Sequence, residues 1–306
     1  MRRINVGNAG LQAPVVVTGC MRINQLSKAE AERFIQSALE MGACFFDHAD
    51  IYGAGKCEEF FAEAIDMNAT IRETMLLQSK CGIRPGIGFD CSKAHILASV
   101  EASLKRLKTE YLDVLLLHRP DALIEPEEVA EAFGTLHQSG KVRYFGVSNQ
   151  NPLQIALLQK YLAQPLIINQ LQLSITQASM ISQGLHVNMA GDAAVDRDGS
   201  VLDFCRLKDI TIQTWSPLQY GTFAGVFLGN PQFAELNRII DALSQQYGVT
   251  NTTIALAWIL RHPAKMQPIT GTTKVARLKD CVKATEITLT REEWYKVYQA
   301  AGNVLP

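Results

Sequence analysis

Short apolar runs alternate along the whole chain with stretches whose apolar positions recur every three to four residues. The runs fall at 15–18, 44–46, 75–78, 114–117, 144–147, 166–168, 211–214 and 267–270. Most are continuously apolar rather than alternating, the pattern of parallel strands covered on both faces. Between them lie helical patterns. The stretch 29–39 places Phe34, Ile35, Ala38 and Leu39 on one face, with Ser27 before it as N-cap and Gly42 after it. A second helix at 92–107 repeats the pattern with Ile96, Leu97, Val100 and Leu104. Pro126 opens a third and Gly140 follows its end, the usual asymmetry of proline first and glycine last. Further helices are expected at 152–162, 199–208, 231–247, 251–262 and 275–284, and a last one after Thr290, where Thr290 and Glu293 form a capping box.

Eight strand-helix units predict a single (β/α)8 TIM barrel over residues 1–306, because parallel strands need helical crossovers and eight units close the sheet. Two stacked doubly wound sheets would show the same alternation but require a linker near the middle. No Pro-, Ser- or Gly-rich tract supplies one. The segment 174–199 is read as a loop after the sixth strand, carrying at most a short helix.

Composition narrows the function. With 47% hydrophobic and 19% charged residues the chain has ample material for a core. Lys+Arg (29) and Asp+Glu (30) nearly cancel, so no net field draws it to nucleic acid or an anionic membrane, and an anionic ligand must be bound by local geometry. Seven cysteines without a Cys-x-x-Cys pair suggest reduced thiols and a cytoplasmic protein. The sequence Val17-Thr18-Gly19-Cys20 behind Arg2 and Arg3 superficially resembles a lipoprotein cleavage site. Asn5, Gly7, Asn8, Gly10, Gln12 and Pro14 break the apolar core that such a signal needs. No stretch approaches the ~18–20 apolar residues of a membrane span.

In a closed barrel the residues just after each strand converge on one pocket. Here they are Gly19-Cys20-Met21-Arg22, Asp47 and Tyr52, Lys80, His118, Ser148-Asn149, Asn169-Gln170, Trp215-Ser216-Pro217 and Gly271-Thr272-Thr273-Lys274. Asp47, Tyr52, Lys80 and His118 form a chemically interpretable set. An ammonium beside a tyrosine stabilises its phenolate and lowers its pKa, while a carboxylate keeps that ammonium charged and aimed. Such a relay presents a proton to a developing alkoxide, and a histidine orients the carbonyl oxygen. Taken singly, each residue has an ordinary structural reading as turn, loop or core residue. Only their joint placement at consecutive strand ends points to catalysis.

Other chemistries fit less well. The six histidines are dispersed, and Asp47-His48 with Asp50 makes a poor metal cluster because adjacent strand residues face opposite ways. No metal site is therefore expected. Gly53-Ala54-Gly55-Lys56 lacks the first glycine and the hydroxyl residue of a phosphate loop, and Gly86-Ile87-Gly88 has Cys91 where a dinucleotide fingerprint needs its third glycine. The better phosphate signal is Gly271-Thr272-Thr273-Lys274 with Arg277, a glycine and two hydroxyls at a helix start beside two cations. Thr272 or Thr273 could equally be only an N-cap.

Together, Phe46-Asp47-His48-Ala49-Asp50-Ile51-Tyr52-Gly53, Lys80 in Gln78-Ser79-Lys80-Cys81-Gly82, Leu115-Leu116-Leu117-His118-Arg119-Pro120, Gly146-Val147-Ser148-Asn149, Asn169-Gln170, Trp215-Ser216-Pro217-Leu218 and Gly271-Thr272-Thr273-Lys274 resemble an aldo-keto reductase. The Asp-His-Ala-Asp-Ile-Tyr-Gly form with Gly19-Cys20-Met21-Arg22 is similar to the YdhF-like bacterial branch of that family. The resemblance implies a barrel that binds NADP(H) and reduces small aldehydes or ketones by hydride transfer. It implies Tyr52 as general acid, tuned by Lys80 and Asp47, with His118 orienting the carbonyl. Ser148, Asn149 and Gln170 would hold the nicotinamide carboxamide, and Trp215 would stack on its ring. The backbone of Ser216, Pro217 and Leu218 would line the pyrophosphate. Lys274 and Arg277, near Gly271, Thr272 and Thr273, would meet the 2′-phosphate, and Asp280 the adenine. Cys281 stands where the family commonly has asparagine. The alternatives are an NADPH-binding sensor on the same barrel and a Schiff-base lyase using Lys80. The expected partner is a small carbonyl compound, and the chain is taken as a monomer or weak homo-oligomer.

Overall fold

The eight apolar runs become eight parallel strands that close on themselves in a computed structural model describing residues 1–306. They are β1 (Val17–Gly19), β2 (Phe45–Asp47), β3 (Leu76–Cys81), β4 (Leu112–Leu117), β5 (Val142–Ser148), β6 (Leu166–Gln172), β7 (Thr211–Trp215) and β8 (Gln267–Thr270). Each pairs with the next in sequence, and β8 pairs with β1 to close the barrel. The closure is tight at its upper rim, where a Cβ on Gly19 would lie 2.6 Å from the Thr270 carbonyl oxygen. Any larger residue at that position would push β1 from β8.

The helices follow their end signals. Ser27 with Glu30, Asn151 with Gln154 and Thr290 with Glu293 form reciprocal capping boxes on Lys28–Glu40, Pro152–Tyr161 and Arg291–Ala300. Pro126 occupies the first turn of Pro126–Gln138. Within 174–199 the structure has one short helix, Ser179–Leu185, and a single 3-10 turn, Asp192–Ala194.

Several elements were not expected from the sequence. The N-terminus forms an antiparallel hairpin, Arg3–Val6 with Leu11–Pro14, and the polar residues that break the apolar run at 7–10 are its turn. The hairpin closes the lower end of the barrel. Val6, Leu11 and Ala13 pack with Val17, Phe45, Val114, Leu116, Ile167, Ile168 and Ile269 in one buried cluster, and Gly7 N–H donates to Thr211 Oγ1 at 2.9 Å. A helix at Lys56–Ala64 links β2 to β3. Short hairpins at Ile83–Arg84 with Gly88–Phe89 and at Gln219–Tyr220 with Gly225–Val226 stand on the upper rim.

Candidate active site

The upper rim gathers the four strand-end residues because β2, β3 and β4 are neighbours in the barrel. Alternation along β3 sends Gln78 and Lys80 inward and Ser79 outward, where its hydroxyl donates to Glu58 Oε1 at 2.5 Å. The same alternation at the end of β2 turns Asp47 toward Lys80, while His48 packs edge-on to Phe61 at 4.7 Å. Beyond β2 the chain folds into the 3-10 turn Tyr52–Gly55, whose Gly53, Ala54 and Gly55 all have positive φ (57°, 53° and 88°). Two glycines allow this left-handed reversal, which starts the helix Lys56–Ala64 and leaves Tyr52 over the barrel mouth.

The Lys80 ammonium is fully buried, and each of its three N–H groups has an acceptor. These are Asp47 Oδ2 at 2.9 Å, the His48 carbonyl at 2.7 Å and Tyr52 OH at 3.0 Å. Asp47 Oδ1 accepts from Gln78 Nε2 at 2.5 Å and Gln170 Nε2 at 3.1 Å. Burial alone would lower the pKa of Lys80, but the neighbouring Asp47 and Tyr52 outweigh it and hold the amine above its ordinary value.

Tyr52 behaves differently from the sequence expectation. Lys80 does pull its pKa down, yet burial is the larger effect and Asp47 adds to it, so the phenol sits above its ordinary value. The ammonium therefore limits a rise instead of producing a fall. His118 lies edge-on to Tyr52, with ring centroids 5.9 Å apart. Burial, then Lys80 and Arg119, push its pKa well below the ordinary value, so the imidazole is neutral. Its Nδ1 is buried without a partner in the protein.

These groups open into a cavity of about 950 Å³. Its walls include Gly19, Met21, Arg22, Asp47, Tyr52, His118, Ser148, Asn149, Gln170, Trp215, Ser216, Pro217, Leu218, Gly271, Thr272, Thr273, Lys274 and Arg277. Lys80 lies beneath it, and Asp280 stands outside the lining, with its carbonyl accepting from Thr253 Oγ1 at 2.9 Å. Along one wall, Trp215 Nε1 donates to Asn149 Oδ1 at 3.1 Å, Asn149 Nδ2 to Ser148 Oγ at 2.7 Å, and Ser148 Oγ to the Gln170 carbonyl at 2.9 Å. Beyond β8 the helix Val275–Lys283 begins at Lys274 with no side-chain cap, so neither Thr272 nor Thr273 caps it; Thr272 Oγ1 accepts from Lys274 N at 3.1 Å instead.

Sequence reasoning missed part of the wall. Ile51, Ile83, Arg119, Gln219, Phe223 and Val226 come from the rim loops, and Thr252 and Leu256 from the helix Asn251–Leu260. Arg119 was in view, since it follows His118 directly, and the strand-end rule covers it. Phe223 stacks on Trp215 at 5.7 Å and 24°. Nothing in the local pattern of its loop marks that contact.

The Aldo/keto reductase family profile matches residues 15–301. This chain belongs to the aldo/keto reductase family. It is 34% identical to the oxidoreductase YdhF of Escherichia coli (strain K12), with 98% of each chain covered. It is 33% identical to a 6-dehydroglucose reductase of Agrobacterium fabrum, again over 98% of each. Among solved structures it is similar to the thermostable aldo-keto reductase Tm1743 in complex with the inhibitor epalrestat. That match has a TM-score of 0.79 and 27% identity, covering 98% of this chain and 100% of the other. As an aldo/keto reductase the protein is an oxidoreductase acting on carbonyl chemistry, and no helix of it is long and apolar enough to cross a membrane.

Proposed function

We propose that this aldo/keto reductase is an NADP(H)-dependent carbonyl reductase with Tyr52 as general acid. The observation that carries the reading is the saturation of Lys80. Because all three ammonium N–H groups are placed, the Tyr52 oxygen acts as acceptor toward Lys80, and its own O–H is left to donate into the cavity. Its raised pKa keeps that proton in place until an alkoxide, a far stronger base, develops beside it.

The cavity suits a dinucleotide. Four cations line it, Arg22, Arg119, Lys274 and Arg277, against one carboxylate, Asp47, whose charge is already taken by Lys80. The uncapped N-terminus of Val275–Lys283 lies among Lys274 and Arg277, a setting for a phosphate. Lys274 and Arg277 would hold the 2′-phosphate, Gln170, Ser148 and Asn149 the carboxamide, and Trp215 the ring face. Asp280 is assigned no contact. When bound, the reduced cofactor supplies a hydride to the carbonyl carbon.

As the C=O π pair moves onto oxygen, Tyr52 gives its proton to that oxygen and becomes a phenolate. Lys80 stabilises the phenolate, and solvent reaching the open cavity returns the proton. With its proton on Nε2, neutral His118 would donate to the same oxygen and fix its place. A cytoplasmic setting is part of this reading, supported by seven free cysteines, six of them buried.

The test is consumption of reduced nicotinamide over a panel of small aldehydes and ketones. Tyr52→Phe should lower kcat by roughly 10²–10⁴ with NADPH affinity retained. Full activity in that variant would remove the general-acid assignment. Tight NADPH binding without turnover on any carbonyl would favour a sensor on the same scaffold.

A further inference from the structure

We propose that Arg119 selects carbonyl substrates that carry a carboxylate separated from the reacting carbonyl by a short apolar spacer. This rests on the reductase reading above. The cavity's cations fall into two groups. Arg22 donates to the Gly271 carbonyl, beside Lys274 and Arg277, so three cations gather where β8 ends. Arg119 follows β4, four strands away in the eight-strand ring, and its guanidinium reaches over the cavity toward Trp215 at the end of β7. A dinucleotide whose phosphates lie at the β8 end leaves Arg119 without an anion.

The protein supplies none either. The other buried or half-buried arginines all have acceptors in the protein: Arg72 and Arg106 pair with Asp113 and Glu58 at 2.6 and 2.7 Å, and Arg261 donates to the Leu289 carbonyl at 2.7 Å. Arg119 is half-buried and has neither an ion pair nor a hydrogen bond to any protein acceptor. Its guanidinium carbon lies 5.9 Å from the Trp215 ring centroid, at the outer limit of cation–π range. A planar fork of donors at the cavity wall, partly shielded from water and with no partner in the protein, is arranged for a bidentate carboxylate.

Its position sets the rest of the substrate. Arg119 is covalently next to His118, the residue that meets the carbonyl oxygen in the reading above. Ile51, Ile83 and Phe223 line the same cavity, and they suit a short run of methylene or aromatic carbons between the two polar ends. A terminal carboxylate on Arg119 would fix which carbonyl is presented to Tyr52.

Two matched pairs test this: succinic semialdehyde against butanal, and 4-carboxybenzaldehyde against benzaldehyde. In each, kcat/KM should favour the acid by roughly ten-fold or more, mostly through KM, as one charge-assisted contact provides. Arg119→Met keeps the apolar stem and should bring both ratios near one, and Arg119→Lys should restore part of the preference. Equal rates for both members of each pair, or a preference that survives Arg119→Met, would overturn the proposal and leave the reductase reading intact. So would an Arg119-dependent preference for a neutral polyhydroxylated aldehyde such as glyceraldehyde.

A second measurement is independent of turnover. In calorimetry on the full chain with NADP+, succinate should bind more tightly than succinamide, and Arg119→Met should abolish the difference. If no aldehyde is reduced but this difference appears, the anion site stands and the reductase reading falls. If the difference is absent, the proposal fails whatever the turnover.

Discussion

Replacing Asp47 by asparagine keeps the shape of the side chain and removes the one negative charge that faces Lys80 at 2.9 Å. The ammonium, fully buried, would face only neutral acceptors, the His48 carbonyl, the Tyr52 hydroxyl and the amide oxygen of the new side chain. Removing one partner of a buried pair typically costs about 3–5 kcal/mol, because the other charge is left uncompensated. At ~2.1 cal/mol/K of unfolding entropy per residue, a chain of 306 residues loses roughly 5–8 °C in Tm for that penalty.

The pH dependence gives a sharper test. In the parent protein the pKa of Lys80 is raised, so its contribution is fully present below ~10.5 and is lost only as pH rises through the higher folded value. It adds no slope around neutrality. In Asp47→Asn the opposing effect of burial takes over and lowers the folded pKa. The unfolded chain then binds more protons than the folded one, and stability rises with pH. Thermal melts from roughly pH 6 to 9 should show a more positive slope in the variant than in the parent. Asp47→Asn combined with Lys80→Met removes both charges and should melt above Asp47→Asn alone. A Tm within about a degree of the parent, with no change in slope, would refute the claim that this pair is buried and mutually dependent.

Two further outcomes follow from other groups. Lys274→Ala with Arg277→Ala should weaken NADPH roughly 10- to 100-fold, from the loss of charge-assisted contacts, while NADH changes by about two-fold or less; equal losses in a fluorescence titration would place the 2′-phosphate elsewhere. Asp50, lifted to about 7 by burial and the nearby Glu58, contributes stability that is present below ~3.8 and lost as pH rises through about 7. Asp50→Asn should therefore flatten the decline in Tm between pH 5 and 8, and an unaltered profile would show that Asp50 ionises without cost.

The barrel strands were legible because a parallel strand covered on both faces is a continuous apolar run, as Val114-Leu115-Leu116-Leu117 shows. The helix Lys56–Ala64 was not legible, and Glu58 shows why. It is fully buried, held by Arg106 at 2.7 Å and Ser79 at 2.5 Å, so a charged residue occupies a core position and breaks the apolar period. The N-terminal hairpin escaped notice because its four-residue strands are too short to separate from their turn. Within the site, the strand-end rule finds Asp47, Lys80 and His118 because the barrel itself delivers them. It is silent on Thr252 and Leu256, since the segment Thr253–Leu260 is buried throughout and its pattern does not mark which side meets a ligand. The direction of the Tyr52 shift was out of reach as well. It depends on whether burial or Lys80 prevails, and only the depth of the turn decides that.

The interior below the site argues that the position of Asp47 matters more to this fold than core stability does. Gln78 and Gln170 each donate to Asp47 Oδ1 and also to Gln213 Oε1, at 2.8 and 3.1 Å. Gln213 Nε2 donates to Gln267 Oε1 at 3.3 Å, and Gln267 Nε2 to the Pro14 carbonyl of the N-terminal hairpin at 2.7 Å. The chain of amides thus runs from the carboxylate to the hairpin that closes the barrel. All four glutamines are buried, and Gln78 Oε1 has no partner. An unsatisfied buried acceptor costs about 1–3 kcal/mol, a penalty that leucine at the same position would avoid. Leucine would also remove the amide N–H at 2.5 Å from Asp47 and free the carboxylate to turn from Lys80. A ladder of neutral donors adds no charge to compete with the ammonium, yet it leaves Asp47 Oδ2 aimed at Lys80 and, through Lys80, the proton of Tyr52 aimed into the cavity.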